Sequence, residues 1–298
     1  MELRHLRYFV AVAETGSLTV AAERRLHTSQ PSLSRQIKDL EDQVGAELLI
    51  RSARGVTLTE AGKVFFDHAR LALSQVDMAI EAARKAALPS KQRFAMGFLT
   101  GQEMSWLPEA MHILRAELPN IDETVSSDYS PDLAEAVARG RLDIAFLRAE
   151  PAYDLVYKPV TQEPLVVLMP SDHRLAARQA IRPKDLVGEP FIGMGNKATV
   201  LRDVIDGYLK KVGVAITPGQ VVDNPAMVMS LVASTRGVTL IPAYVQNLMP
   251  WSVISRPLAG QAPTIALALG YSKTNTSPIL KMFLAHLDEL IARVANKS

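Results

Sequence analysis

The chain has 298 residues, of which 48% are hydrophobic, and its formal net charge is +2. This length allows two or more packed domains, and no apolar run approaches the roughly 18 to 20 residues that a membrane helix needs. Residues 1–7 lack the layout of a signal peptide, so we expect a soluble globular protein of the cytoplasm. Because the chain contains no cysteine, disulfides, thiolate chemistry and cysteine-based zinc sites are excluded.

Apolar residues at helical spacing predict two short helices at the N-terminus. The first helix is predicted to stop at Gly16, and the second to begin at Thr19 as its N-cap. Ala21, Ala22 and Leu26 would let a neighbouring helix approach the second one closely. The stripe of the first helix consists of Leu3, Leu6, Phe9, Val10 and Ala13.

The segment SQPSLSRQIKDLEDQVG predicts a third helix. Ser29 stands at the N-cap position, and Pro31 falls in the first turn, where a missing N–H costs nothing. Gly45 can adopt the left-handed conformation that ends a helix. The predicted buried stripe consists of Leu33, Ile37, Leu40 and Val44. Three short helices with a tight turn are typical of a helix-turn-helix.

The opposite face of the third helix has side chains suited to a DNA major groove. Gln can read adenine and Arg can read guanine through paired hydrogen bonds. From residue 24 to 38 the chain carries four basic residues and no acid, and the alternating stretch 48–59 predicts a hairpin wing. The alternative is a solvated surface without a partner. We predict a winged helix-turn-helix domain over 1–58 whose DNA contacts are Thr28, Ser29, Gln30, Pro31, Ser34, Arg35, Lys38, Arg51 and Arg54.

A long helix is predicted over 59–89, ending at Pro89. Its apolar residues step alternately by four and three, which is a heptad seam, and small alanines would let two helices pair closely. The alternative is a helix that packs on its own domain. The predicted dimerisation seam consists of Phe65, Ala69, Ala72, Val76, Ala79, Ala83 and Ala86.

After a polar stretch at 90–93, the pattern over 90–298 alternates between short strands and helices, which favours an α/β fold with a largely parallel sheet. The predicted strands are 94–99, 122–127, 142–147, 165–170, 190–194, 237–242 and 264–272. The predicted helices are 107–118, 131–139, 199–212, 225–234 and 278–295. Two lobes joined by two crossing strands would leave a cleft between them.

Ligands of such α/β lobes lie at the carboxyl ends of strands, where helix N-termini favour an anion. Arg148 and Lys197 could clamp a carboxylate, although Arg148 could instead bridge the lobes and Lys197 could point to solvent. The predicted effector contacts are Thr100, Gly101, Gln102, Ser130, Arg148, Asn196, Lys197 and Thr199. Apolar surface could come from Phe98, Met104, Trp106 and Phe146, or these could belong to the core.

The segments MELRHLRYFVAVAE, AAERRLHTSQPSLSRQIKDLEDQVG and LTEAGKVFF resemble the N-terminal domain of LysR-type transcriptional regulators. Segments of the regulatory domain of that family are similar to GRLDIAFLR, EPLVVLMPSDHRLA and GVTLIP. Within the family, the sequence most resembles the branch that controls catabolism of aromatic acids such as phenylpropionate or benzoate. Gly101 departs from the pattern, since many relatives have Ser or Thr at this loop position.

The resemblance implies a two-lobed sensor similar to type II periplasmic binding proteins, with lobe I at about 90–162 and 268–298 and lobe II at about 163–267. It also implies paired linker helices in a homodimer or homotetramer. The implied partners are double-stranded promoter DNA, a small anionic effector and RNA polymerase, with no membrane contact.

An enzyme is the competing class. The sequence has no G-x-S-x-G or H-E-x-x-H motif and no phosphate-binding glycine run. The six histidines lack ligand spacing, so neither a metal nor a cofactor is expected. A transported-solute receptor would share the lobes but not the helix-turn-helix. A DNA-binding repressor or architectural protein that needs no ligand remains the alternative. The histidines are His5, His27, His68, His112, His173 and His286.

Overall fold

The computed structural model describes residues 1–52, 55–87 and 93–297, with the backbone only at 82 and 84–87. Its internal contacts divide the chain into two compact units, Met1–Arg84 and Lys85–Ser298. In the described ranges, no helix has both the length and the apolar character needed to cross a membrane. The finer domain limits predicted from the sequence are not tested by this division and stay a prediction.

The first unit begins with three helical segments around a small core. Helix α1 is Leu3–Thr15, α2 is Leu18–Val20 and continues as a π-helical turn over Ala21–Leu26, and α3 is Gln30–Val44. Gly16 and Gly45 end α1 and α3 at φ 62° and 76°, which confirms both predicted stops. The core is formed by Leu6, Phe9, Val12, Ala21, Ala22, Leu33, Ile37, Leu40, Leu48 and their neighbours.

Some local predictions for these helices are wrong. The N-cap of α2 is Ser17, whose Oγ accepts the N–H of Val20 at 3.3 Å, so Thr19 lies inside the helix. Ser29 holds the N-cap position of α3 without a side-chain capping bond. Val44 is 38% exposed because it stands in the last turn, beyond the reach of the core.

The predicted wing is present, and a long helix follows it. Strands β1 (Leu49–Ser52) and β2 (Gly55–Leu58) pair antiparallel, and α4 spans Glu60–Ala87. Gly62 lets α4 approach the chain before the wing, since a Cβ there would stand 2.0 Å from the carbonyl oxygen of Leu48. The predicted end at Pro89 lies outside the described residues.

The start of the predicted seam on α4 belongs to the core of the first unit. Ala69 is 3% exposed, and the ring of Phe65 stands edge-on to that of Phe9 at 5.2 Å between centroids. The alternative to a dimer seam was a helix that packs on its own domain, and the first part of α4 does pack in this way. By contrast, Ala72, Ala79 and Ala83 are exposed and Val76 is partly exposed.

The second unit is built on a mixed sheet. In spatial order its strands are β10 (Val253–Pro257), β6 (Leu155–Pro170), β11 (Thr264–Ser272), β5 (Ile144–Leu147), β3 (Arg93–Leu99) and β4 (Asp122–Asp128), with β9 (Thr239–Pro242) also on β6. Strand β7 (Ile192–Met194) pairs parallel with β8 (Gln220–Val222). The predicted largely parallel sheet is wrong, because β6 and β11 run antiparallel to each other and to their other neighbours.

The helices of this unit agree with the predicted ones within a few residues, except that the last helix is broken at His286. They are α5 (Glu103–Glu117), α6 (Ser130–Ala138), α7 (Thr199–Lys211), α8 (Pro225–Thr235), α9 (Pro278–Ala285) and α10 (Leu287–Ala295). Short 3-10 turns occupy Pro183–Leu186 and Ala243–Leu248.

The second unit has separate hydrophobic cores, which define two lobes. The core of the first lobe uses residues 94–160 and 267–294, and that of the second lobe uses residues 165–265. Strand β6 joins them, because residues 155–164 pair with β11 while residues 165–170 pair with β9 and β10. Only residues 165–170 of this strand were predicted from the sequence. The lobes therefore meet where β6 and β11 pass from one core to the other.

Candidate functional site

The polar face of α3 is open to solvent. Arg35 and Lys38 are exposed, as are Ser29 and Pro31, while Thr28, Gln30 and Ser34 are partly exposed. The left-handed residue His27, at φ 47°, ends the π-helical turn and lets the chain turn sharply into α3. The exposed cations thus lie on a helix whose opposite face is buried in the core.

The wing is tied to this helix by side chains at both ends. The exposed Arg51 donates from Nη1 to Oγ of Ser34 at 2.8 Å, so two predicted DNA contacts bind each other. Glu41 accepts the backbone N–H groups of Leu48 and Leu49 at 2.8 and 3.0 Å, which places this acidic group at the base of the wing. Arg54 lies outside the described residues.

A cavity lies between the two lobes of the second unit, with an empty volume of about 580 Å³ that includes its solvent-open mouth. The enclosed part of this space is only about 50 Å³, well below the range of about 300 to 1,000 Å³ that is typical of small-molecule sites, so the cleft is nearly closed in this structure. Much of its wall is apolar. The lining residues are Leu99, Thr100, Tyr129, Ser130, Arg148, Glu150, Met194, Lys197, Ala198, Val200, Leu201, Asp223, Pro225, Val228, Ile241, Pro242 and Tyr244.

Arg148 is the buried cation of this cavity, 4% exposed at the end of β5. Its Nη2 binds Oε2 of Glu163, which is 8% exposed and also accepts from Nε2 of Gln102 at 2.7 Å. Its backbone N–H donates to Oγ of Ser130 at 2.9 Å. The other terminal nitrogen, Nη1, is buried with no hydrogen-bond partner among the described residues. A buried donor without a partner is costly, so this atom is a place where an acceptor would be favoured.

Two contacts close the cleft from the second lobe. Nζ of Lys197 lies 2.7 Å from Oδ2 of Asp132 and 5.1 Å from the centre of the Tyr129 ring. The hydroxyl of Tyr244 donates to the carbonyl oxygen of Thr100 at 3.1 Å. Burial raises the pKa of Tyr244, which keeps its proton on the hydroxyl for this bond.

A carboxylate of the chain lies just before the N-terminus of α7, next to the position where an effector anion is predicted to bind. Oδ1 of Asp223 accepts the backbone N–H groups of Lys197 and Ala198 at 3.0 and 3.1 Å. Asn196 accepts from Arg202 at 3.0 Å, and neither it nor Thr199 lines the cavity. Two N–H groups, those of the N-cap and of the residue before it, are thus satisfied by the chain itself.

The loop after β3 contributes differently from the prediction. Thr100 lines the cavity, whereas Gln102 is 1% exposed and serves Glu163. Gly101 has φ 93°, and a Cβ there would stand 2.8 Å from the Tyr244 ring. Only glycine fits this approach, so a Ser or Thr hydroxyl at 101 is excluded by space.

The predicted apolar contacts lie elsewhere. Phe98, Trp106 and Phe146 are core residues, with Phe98 and Phe146 stacked at 5.1 Å between centroids, and Met104 is 56% exposed. None of these lines the cavity. Glu150, Asp223 and Tyr244 line the cavity but are not among the residues predicted from the sequence. For Glu150 a signal exists, since it lies two residues after Arg148 at the same strand end, but the other two reach the cavity only through tertiary packing.

The residues that the structure describes contain no cluster of histidine, aspartate or glutamate able to hold a metal ion.

Comparison with known proteins assigns a family to both units. Residues 3–63 match the model of the bacterial regulatory helix-turn-helix protein, lysR family, and residues 89–292 match that of the LysR substrate binding domain. HcaR, the hca operon transcriptional activator of Escherichia coli, is 38% identical over 99% of both chains. The transcriptional regulator BenM of Acinetobacter baylyi is 31% identical over 87% of this chain and 86% of its own.

Solved structures show the same fold. Full-length BenM superposes with a TM-score of 0.59 at 27% identity, covering 98% of this chain and 97% of that one. Full-length CbnR complexed with its target DNA gives a TM-score of 0.57 at 24% identity, covering 98% and 100%. The two family models together span most of the chain. The helix-turn-helix model covers the N-terminal helices and wing, and the substrate-binding model covers the α/β second unit. The chain belongs to the LysR family of DNA-binding transcriptional regulators.

Proposed function

We propose that this regulator binds promoter DNA through α3 and the wing, works as a homodimer or homotetramer, and responds to a small carboxylate held between its two lobes. It acts where promoter DNA is found, in the cytoplasm, and it carries out no catalytic step. The observation that supports an effector is the buried, unpartnered Nη1 of Arg148 in the wall of the cavity.

The DNA contacts are proposed for the exposed face of α3. Arg35 is placed for a base edge or phosphate, and Lys38 for phosphate, because both are exposed on one helix whose far side is buried. Ser34 and Arg51 are joined by a hydrogen bond, so the side chain of Arg51 would contact the DNA in an orientation that Ser34 already sets. The N-terminal end of a recognition helix enters the major groove. At that end of α3 lie Thr28, Ser29, Gln30 and Pro31.

The test of this interface is Arg35→Ala in the full-length protein, measured by footprinting and binding titration on the region upstream of its own gene. We expect a loss of about 1 to 3 kcal/mol and weaker base discrimination. Arg93→Ala is the control, since it removes an equal charge from an exposed pair with Asp122 in the second unit. An unchanged footprint and affinity for Arg35→Ala would reject the assignment.

The dimer is proposed to form through α4. Ala72, Ala79 and Ala83 are exposed and Val76 is partly so, and Leu71 is 47% exposed on the same helix. An amphipathic helix needs a partner for an exposed apolar stripe, and a twofold partner would place two recognition helices on one face of DNA. Phe65 and Ala69 are left out of this seam. Contact with RNA polymerase, also proposed, would follow from the bound position on the promoter.

The effector is proposed to be a carboxylate, and the similarity to regulators of aromatic-acid catabolism favours an aromatic one. A carboxylate oxygen facing Nη1 of Arg148 would make a charge-assisted hydrogen bond and satisfy the unpartnered donor. Because that nitrogen is covered, a ligand reaches it only when the contacts of Lys197 and Tyr244 across the cleft loosen. Binding is therefore linked to movement of the lobes, typically with about 1 to 3 kcal/mol of coupling.

The matching experiment uses Arg148→Lys, which keeps a positive charge for Glu163 but lacks a second terminal nitrogen. Calorimetry with benzoate, 3-phenylpropionate and aliphatic acids should show at least about tenfold weaker binding in this variant, because one charge-assisted hydrogen bond is lost. The control is Arg115→Lys, because Arg115 is exposed and pairs with Glu123. This variant should bind the acids like the wild type. Equal binding by the wild type and Arg148→Lys would place the anion elsewhere.

A second candidate function is a DNA-binding repressor or architectural protein that needs no ligand. It is favoured by the cleft contacts, since the pairs Lys197–Asp132 and Tyr244–Thr100 are formed between the lobes by the chain itself. This alternative predicts the same DNA footprint and melting temperature with every acid tested. A shift in either one supports the effector-responsive function.

A further inference from the structure

We propose that the effector carries a hydrogen-bond donor, a hydroxyl or an ammonium group, in addition to its carboxylate, and that Glu150 accepts from that donor. This rests on the proposed function, because it assigns a second pole to the same effector cavity. The juxtaposition that carries it is a buried carboxylate and a buried guanidinium in the wall of one cavity.

The charged residues of the cavity are mostly satisfied by the protein. Asp223 accepts two backbone N–H groups at the start of α7, and Lys197 pairs with Asp132 while remaining about half exposed. One terminal nitrogen of Arg148 binds Glu163. After these pairs, Nη1 of Arg148 is the buried donor left unpartnered within the described ranges.

Glu150 is the matching acceptor. It is 7% exposed, it lines the cavity, and in the described part of the chain its carboxylate has no hydrogen-bond or ion-pair partner, whereas its backbone carbonyl accepts from the hydroxyl of Tyr157 at 3.1 Å. Burial raises the pKa of this carboxyl. A partly desolvated carboxylate without donors is disfavoured, and a ligand hydroxyl or ammonium group would offset that cost.

The guanidinium of Arg148 and the carboxylate of Glu150 are two separate polar groups of the cavity. Glu150 lies two residues after Arg148, and Ala149 between them is exposed, so both buried side chains turn inward from one loop. Among the described residues the guanidinium of Arg148 forms its ion pair with Glu163 and none with Glu150. A simple monocarboxylate could therefore satisfy Arg148 and would leave Glu150 unpartnered. A molecule with an acidic end and a donor satisfies both.

The experiment compares ligands that share one skeleton. Full-length protein is titrated by calorimetry with 3-phenylpropionate, with its 2-hydroxy and 4-hydroxyphenyl derivatives, with phenylalanine as the ammonium form, and with benzylsuccinate as a dicarboxylate. Wild type, Glu150→Gln and Arg148→Lys are compared, and Glu117→Gln on the exposed face of α5 is the control.

We expect at least one donor-bearing acid to bind the wild type and Glu117→Gln about tenfold or more tightly than 3-phenylpropionate, because a hydrogen bond to a buried charge is added. Glu150→Gln should reduce that preference to about threefold or less, and Arg148→Lys should weaken every acid. The hydroxyl and ammonium arms then identify the donor.

Other results overturn the inference. If 3-phenylpropionate binds as tightly as its donor-bearing derivatives, or if benzylsuccinate is preferred, Glu150 does not select a donor, while weaker binding to Arg148→Lys still upholds the carboxylate effector. If no acid binds the wild type, or if Arg148→Lys binds all of them unchanged, the effector proposal and this inference both fail.

Discussion

The buried pair between Arg148 and Glu163 gives a quantitative test of the lobe junction. Arg148→Met removes the counter-ion of a carboxylate that is 8% exposed and leaves it with one hydrogen bond, from Gln102 at 2.7 Å. Removal of one partner of a buried ion pair costs about 3 to 5 kcal/mol, because an uncompensated charge stays in a low-dielectric site. For a unit of this size that corresponds to a melting temperature about 6 to 20 °C lower.

The assay is urea unfolding of wild type, Arg148→Met, Glu163→Gln and the double variant. In the double variant the site is neutral and Gln102 still finds a partner, so we expect most of the loss to be recovered and a coupling of about 2 kcal/mol or more. Arg93→Met is the control, because its pair with Asp122 is half exposed and should be worth at most about 1 kcal/mol. A loss below 1 kcal/mol for Arg148→Met, or no recovery in the double variant, would refute this account of the pair.

Three further changes test packing, capping and charge. Gly62→Ala should destabilise the first unit by about 1 to 3 kcal/mol in urea unfolding, since its Cβ would meet a backbone oxygen at 2.0 Å, whereas Gly207→Ala, in open space on α7, should be neutral or stabilising. Asn224→Ala should cost about 0.5 to 2 kcal/mol of unfolding free energy, because the side chain caps α8 through two backbone N–H groups. A hydrogen bond from Arg182 lowers the pKa of Asp185 to about 2, so its stabilisation is present above pH 3.8 and is lost as the pH falls towards 2. Unfolding of Asp185→Asn should therefore depend less on pH in that window, and an unchanged dependence would contradict it.

The helices of the first unit were predictable because their signals are local. Pro31 in the first turn and Gly45 at the end fix α3, and the stripe from Leu33 to Leu40 has a single buried face. The capping residue of α2 was not predictable in the same way. Ser17 and Thr19 are both good N-caps, and the choice depends on how the π-helical turn that follows is packed.

The dimer seam shows the limit of periodicity. The spacing from Phe65 to Ala83 is regular, yet Ala69 is buried in its own unit and Ala72 is exposed. A heptad pattern states which residues share a stripe, but not whether the stripe packs against the same chain or another one. Only the position of α4 against Phe9 decides this for its first turns.

By itself the sequence determined the winged helix-turn-helix, the alternation of strands and helices, and the position of Arg148 at the end of a strand. Caps, glycines, proline and hydrophobic period act over a few residues, so they can be read along the chain. Tertiary structure alone decided that Glu163 binds one terminal nitrogen of Arg148, that Asp223 accepts the backbone N–H of Lys197 before α7, and that Tyr244 reaches Thr100. These partners are 15, 26 and 144 residues apart along the chain, and electrostatic and hydrogen-bond pairing depends on distance in space rather than along the chain.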